Sequence, residues 1–70
     1  MTRKEIKPGI SIRHIDEYED EGEYLVMSDI DPETMHVSCV MACWEKNPGL
    51  NGQRCSLDVW SIENHFEIVK

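Results

Sequence analysis

The sequence predicts an all-β domain built from five short strands, and three observations support this. Residues 37–44 and 54–60 alternate between the two faces expected of a β-strand. The loop between them, residues 45–53, contains the turn dipeptides Pro48-Gly49 and Asn51-Gly52. The other alternating segments are short and end at turn residues, and none has the length of a regular helix.

The hairpin of residues 37–60 defines the expected interior. One face of its two strands is wholly apolar and comprises Val37, Cys39, Met41, Cys43, Cys55, Leu57 and Val59. The opposite face is mixed and carries Trp44 and Trp60 near the strand ends. An antiparallel pair with one buried and one wetted face gives this pattern. We therefore expect all three cysteines inside and both indoles on the other side.

Two strands precede this hairpin. Residues 1–7 are polar and are expected to be loosely held, whereas residues 10–15 alternate as a first strand with Ile10 and Ile12 inward. Residues 24–30 form the second strand. Its inward set stays open between two alternatives: Tyr24, Val26 and Ile30, or Leu25 and Met27.

An acidic segment, residues 16–23, separates these two strands. Six of its eight residues are carboxylates, and burying unpaired charges would cost several kcal/mol or more each. We expect a solvated loop in which Gly22 supplies a sharp turn. The segment does not match the ligand spacing of a calcium loop.

Turns and a short helical segment complete the chain. Residues 31–34 fit a type I turn with Asp first and Pro second. Residues 61–64 predict one turn of 3₁₀ helix capped by Ser61. Residues 65–69 alternate as a last strand with Phe66 and Ile68 inward.

These elements predict a single domain, residues 1–70, folded as a small five-stranded SH3-like barrel with a 3₁₀ turn before the last strand. A small sheet must bury one face or close on itself to remove its edges. An OB-like barrel is the alternative, although it usually needs more residues. An open barrel edge could pair with a second copy, so a homodimer is a further expectation.

The chain resembles small bacterial SH3-like barrel proteins of the uncharacterised YodC-like group. The resemblance is carried by Pro8-Gly9 before the first strand, Gly22-x-Tyr24-x-Val26 at the second and Val37-x-Cys39 in the third. It implies the fold and no settled activity. The Ala-Leu-Tyr-Asp-Tyr run of peptide-binding SH3 domains is missing, which argues against a proline-rich ligand.

Composition narrows the function classes. The formal net charge is −7, from 14 acidic and 7 basic residues, which disfavours nucleic-acid binding and favours solubility and basic partners. No apolar run reaches the roughly 20 residues that span a bilayer, and no secretory signal is visible. Three cysteines without a secretory context indicate reduced thiols and a cytoplasmic location.

The cysteines do not form a recognisable chemical site in the sequence. Zinc sites prefer ligand pairs two to four residues apart on turns, whereas these thiols lie along apolar strands, so we expect no metal and no cofactor. A Cys43–Cys55 disulfide is geometrically conceivable, but a reducing compartment argues against it. A catalytic cysteine needs an electropositive, partly exposed setting, so we expect no enzyme activity.

The expected function is a protein-interaction module for a basic partner. Aromatic residues dominate binding hot spots, and they attract Lys and Arg through cation–π contacts. The predicted partner-binding residues are Trp44, Asp58, Trp60, Asp16, Glu17, Tyr18, Glu19, Asp20 and Glu21. The two indoles could instead form a second small core. Alternative functions are a phage-type acidic inhibitor that imitates DNA charge and a nucleic-acid-associated barrel.

Overall fold

The computed structural model describes residues 1–15 and 22–69. Its strands are β1 (Ser11–His14), β2 (Glu23–Val26), β3 (His36–Ala42), β4 (Arg54–Asp58) and β5 (Phe66–Ile68). One helix, α1 (Val59–His65), connects β4 to β5, and 3₁₀ turns cover Arg3–Glu5 and Pro48–Leu50. The predicted all-β class with five strands is confirmed.

All five strands pair antiparallel in one sheet of order β4-β3-β2-β1-β5. Consecutive strands lie side by side from β1 to β4, and β5 returns to pair with β1. The edge strands β4 and β5 do not pair with each other in the part of the chain that the structure describes. The sheet is therefore not closed among the described residues, where the sequence predicted a small five-stranded SH3-like barrel.

The core follows the alternation of the strands. Its buried side chains are Ile6, Ile12, Tyr24, Val26, Val37, Cys39, Trp44, Val59, Ile62 and Phe66. Tyr24 and Val26 are buried whereas Met27 is 54% exposed, which decides the open question about the second strand. Residues 1–7, expected to be loosely held, contribute Ile6 to the core, and the Met1 ammonium donates a hydrogen bond to the Glu63 carbonyl at 3.2 Å.

Trp44 faces the core and not the wetted side predicted for it, because the backbone kinks at Cys43. The strand ends at Ala42, and Cys43 adopts a left-handed φ of 59°, which is uncommon for a residue with a side chain. The kink reverses the alternation, so that Cys43 is exposed and Trp44 is buried in the core. The backbone N–H of Trp44 donates to Asn51 Oδ1 at 2.8 Å, which holds this conformation in place.

Gly22 is required by the space available at this position, whereas the loop whose sharp turn it was predicted to supply lies largely outside the described residues. Its φ lies outside the left-handed region. An added Cβ would lie 2.5 Å from the Ala42 carbonyl oxygen and 2.6 Å from Trp44 Cδ1. The hydrogen atom at this position therefore leaves room for the buried indole.

The helical segment is longer and begins earlier than predicted. Instead of a 3₁₀ turn capped by Ser61, α1 begins at Val59 and is capped by Asp58, whose carboxylate accepts hydrogen bonds from the Ser61 N–H at 2.9 Å and hydroxyl at 2.8 Å. Val59 and Ile62 are buried. Their spacing of three residues places both on one helical face, against the sheet.

Replacing Asp58 with alanine is expected to lower the free energy of unfolding by about 1 kcal/mol at neutral pH, because an N-cap is lost. Two hydrogen bonds from Ser61 lower the pKa of the Asp58 carboxyl, and the bond from the backbone N–H has the larger effect. Its ionised form therefore stabilises the fold above the unfolded-state pKa of about 3.9, and this contribution is lost as pH falls through the lower folded-state pKa.

The difference between wild type and Asp58→Ala should accordingly shrink as the pH falls below the unfolded-state pKa of about 3.9. Urea unfolding of both proteins at neutral and acidic pH measures it. Asp29→Ala is the charge-matched control, since Asp29 caps no helix among the described residues. A deficit that did not depend on pH would contradict capping by the carboxylate.

Candidate interaction surface

Trp60 is the most exposed large apolar side chain among the described residues. It lies on α1 between the buried Val59 and the half-buried Ser61, and 65% of it is exposed. Its indole packs edge-on against the His65 imidazole, with ring centroids 5.4 Å apart and an interplanar angle of 65°. The helix thus presents an indole to solvent and supports it from one side.

Ile15 adjoins the same helix. Its backbone N–H donates a hydrogen bond to the His65 carbonyl at 2.9 Å, and 49% of the residue is exposed. Asp16, the first residue of the acidic run, follows Ile15 directly in the chain. We call Trp60, His65 and Ile15 the indole surface.

A polar groove of about 450 Å³ lies on the wetted side of β3 and β4. We call it the acidic groove, and its lining residues are Ser28, Asp29, Asp31, Thr34, His36, Val37, Ser38 and Ser56. Asp29 and Asp31 are both exposed, and Asp31 also accepts a hydrogen bond from the Glu33 N–H at 2.8 Å. The groove therefore offers two carboxylates to a cationic group.

Asp58 lies between the indole surface and the acidic groove. It lies opposite His36 of the acidic groove in the β3–β4 register, and it precedes Trp60 by two residues. The Ser61 hydrogen bonds, and to a smaller extent His36, lower the pKa of its carboxyl, so Asp58 is ionised at neutral pH. Carboxylates and an exposed indole consequently follow one another along the surface.

The structure places the predicted partner residues differently. Asp58 and Trp60 lie together at the start of α1, whereas Trp44 lies in the core with 7% exposure. Trp44 is therefore buried and not on the wetted side where it was expected, and it is left out of the proposed contact. The remaining predicted residues, Asp16, Glu17, Tyr18, Glu19, Asp20 and Glu21, lie outside the described residues.

The acidic groove was missed in the sequence. Its carboxylates come from the connection between β2 and β3, where Asp29 and Asp31 flank Ile30 just before Pro32. The pattern of this segment predicts only the end of a strand followed by a turn. Two acids two residues apart next to a turn were the available signal, but their approach to Ser56 on β4 depends on the strand order.

The cysteines occupy three different environments, and all are free thiols. Cys39 is buried and lies opposite Cys55 in the β3–β4 register, so Cys43 is not the cross-strand neighbour of Cys55. Burial, with a smaller effect of Cys55, raises the pKa of Cys39 to about 12. Cys43 is exposed, and a hydrogen bond to the Glu23 carboxylate, together with its charge, raises the pKa of the thiol.

A thiol reagent such as Ellman's reagent is expected to modify the native protein first at Cys43. Burial also raises the pKa of the half-buried Cys55, so it should react more slowly, and Cys39 should react only on unfolding. Because Glu23 disfavours the Cys43 thiolate, the fast phase should accelerate as pH rises. Stopped-flow absorbance measures the phases, and Cys43→Ser should remove the fast one. A fast phase that survived this substitution would contradict the placement of Cys43.

Residues 1–15 and 22–69 contain no group of three His, Cys, Asp or Glu side chains placed to hold a metal ion. No helix within these ranges is long and apolar enough to cross a membrane.

Comparison with known proteins finds no matching family model, curated protein or solved structure. The resemblance to the YodC-like group therefore stays an expectation.

Proposed function

We propose that this protein is a non-enzymatic, cytoplasmic interaction module that binds a basic protein partner. The contact comprises the indole surface, the acidic groove and the acidic segment from Asp16 to Glu21. The observation that carries the proposal is the exposure of Trp60, 65%, at the start of a helix capped by a carboxylate. Large exposed aromatic side chains are the residues that most often dominate binding energy.

The chemistry of the surface favours Arg or Lys on the partner. An indole face attracts a guanidinium or ammonium group, by about 0.5–1 kcal/mol at an exposed site and more when water is excluded. The carboxylates of Asp29, Asp31 and Asp58 can accept charge-assisted hydrogen bonds from the same cations. The net charge of −7 would also accelerate encounter with a basic protein.

Affinity purification followed by mass spectrometry tests the proposal. The baits are wild type, Trp60→Ala and a variant in which the carboxylates of residues 16–21 are replaced by amides. We expect wild type to retain a basic protein that both variants lose. Direct titration with that protein should then show weaker binding by the variants, at least tenfold for Trp60→Ala, which corresponds to about 1.4 kcal/mol.

Met27→Ala is the matched control. Met27 is also an exposed apolar residue, at 54%, but it follows β2 and is not part of the indole surface or the acidic groove. Its substitution should leave the retained partner unchanged. Retention of the same proteins by wild type, Trp60→Ala and the amide variant would refute the proposed surface.

The negative charge also favours a second candidate function, an acidic inhibitor that imitates DNA and occupies a nucleic-acid enzyme. Such binding should weaken steeply with added salt and should compete with duplex DNA. Binding centred on Trp60 should depend less on salt, so a salt series with the captured partner distinguishes the two. A low-salt gel shift tests the remaining alternative, direct nucleic-acid association.

A further inference from the structure

The edge strand β4 is bonded to β3 on one side, and its other side pairs with no strand in residues 1–15 and 22–69. Backbone hydrogen bonds of 2.9 Å run from the Met41 N–H to the Gln53 carbonyl and from the Val59 N–H to the Met35 carbonyl. Both pairs continue the β3–β4 register, and hydrogen-bonded pairs recur every second residue in an antiparallel ladder. The odd-numbered residues of β4 therefore bond to β3.

The even-numbered residues of β4 point their backbone groups away from β3. The N–H and carbonyl groups of Arg54 and Ser56 have no backbone partner among the described residues. Natural edge strands are commonly protected by proline, by lysine or by shortness. Strand β4 has five residues with neither proline nor lysine, whereas the opposite edge strand β5 has only three residues.

We propose that β4 pairs antiparallel with β4 of a second copy, around a two-fold axis at Ser56. In this register the backbone of Ser56 exchanges two hydrogen bonds with Ser56 of the second copy. Arg54 lies opposite Asp58 of the second copy, and Asp58 lies opposite its Arg54. The ends of the strand thus form two cross-strand pairs of opposite charge, which stabilise antiparallel pairing.

The charges select this register over its neighbours. An axis at Arg54 would place two arginines opposite each other, and an axis at Asp58 would oppose two carboxylates. An axis at Cys55 or Leu57 would lose both ion pairs. Arg54 is exposed and forms no ion pair within the described residues, and Asp58 retains acceptor sites beyond those used by Ser61.

Pairing of one five-residue edge buries less area than the roughly 1,000 Å² of a stable interface. The dimer is therefore weak and depends on protein concentration. The inference is argued from β4, although Ser56 also lines the acidic groove and Asp58 belongs to the proposed partner contact. Arg54 belongs to neither, so Arg54→Glu is the variant that tests the dimer separately. A monomeric variant that still bound the basic partner would separate the two proposals.

Sedimentation velocity between about 10 μM and about 1 mM tests the dimer, since this range covers dissociation constants typical of weak association. We expect the dimer fraction of wild type to rise across this range. Arg54→Glu alone and Asp58→Arg alone should each weaken dimerisation at least tenfold, because each places like charges opposite one another. Their equimolar mixture should restore it, because both cross-strand pairs again have opposite charges.

Ser56→Pro provides a test that does not depend on charge or on the helix cap. The Ser56 N–H points away from β3, so proline in both copies removes the two central hydrogen bonds of the dimer and spares the β3–β4 ladder. We expect a folded monomer by circular dichroism and sedimentation, whereas Ser56→Ala should dimerise as wild type does. A wild-type protein that stayed monomeric at the highest concentration would overturn the proposal, as would dimers unaffected by Arg54→Glu and Ser56→Pro.

Discussion

Gly22→Ala is expected to lower the free energy of unfolding by about 3 kcal/mol, the upper part of the range for overpacked sites. The added methyl group would lie 2.5 Å from the Ala42 carbonyl oxygen and 2.6 Å from Trp44 Cδ1. Neither can move cheaply, because one is backbone next to β2 and the other belongs to a buried indole. In a chain of this size the melting temperature should fall by roughly 15 °C. Urea denaturation and thermal melting followed by circular dichroism measure both quantities.

Gly49→Ala is the matched control for this substitution. A Cβ at Gly49 would meet nothing within 4 Å, and the φ of Gly49 is outside the left-handed region. Replacing glycine at such a position reduces the conformational freedom of the unfolded chain and should stabilise by up to about 1 kcal/mol. If both alanine variants melted together, Gly22 would not lie against the indole.

The strand pattern could be predicted from sequence wherever alternation continued to the end of the strand. Ile12, Val37, Cys39 and Phe66 are buried as their positions predicted. These residues lie in ladders whose pairing preserves the two faces of the sheet. Their burial follows from local pattern alone.

Trp44 could not be placed in the same way. The sequence gives no local reason for the left-handed backbone of Cys43, which reverses the alternation by one residue. What makes the reversal favourable lies elsewhere in the chain, since Gly22 leaves space for the indole and Asn51 accepts the Trp44 N–H. Alternation along a strand carries no information about such contacts with distant parts of the chain.

The start of α1 was misjudged for a different reason. Leu57 and Val59 continue the strand alternation, while Val59 and Ile62 satisfy the spacing of a helical face. An apolar residue at Val59 fits both patterns, so periodicity could not locate the boundary. The position of the cap decides it, because Asp58 accepts the Ser61 N–H.

In the candidate site, too, one part follows from local sequence pattern and another part depends on the fold. Trp60 is exposed as expected, because neighbouring residues point to opposite faces of a strand and about 100° apart on a helix, so either geometry turns it away from the buried Val59. The acidic groove instead brings together Asp29, His36 and Ser56 from three parts of the chain. Its position is a consequence of the strand order, which residue pattern alone did not specify.

Trp44→Ala is expected to lower the free energy of unfolding by about 4 kcal/mol, as removal of a buried large aromatic side chain usually does. The indole is 7% exposed and packs edge-on against Tyr24, with ring centroids 5.7 Å apart and an interplanar angle of 85°. Its loss would leave a cavity beside Gly22. Urea unfolding followed by far-ultraviolet circular dichroism measures the change without relying on tryptophan fluorescence.

Two further variants, Trp60→Ala and Trp44→Phe, test whether the loss of stability in Trp44→Ala comes from burial of the aromatic ring. Trp60 is mostly exposed, so its truncation should cost less than about 1 kcal/mol. Among residues 1–15 and 22–69 the buried Trp44 indole N–H has no hydrogen-bond partner, and an unsatisfied buried N–H is costly. Phenylalanine removes this N–H and keeps part of the aromatic packing, so Trp44→Phe should be clearly more stable than Trp44→Ala. Equal losses for Trp44→Ala and Trp60→Ala would mean that the chain does not reverse its faces at Cys43, because only that reversal places one indole inside and leaves the other in water.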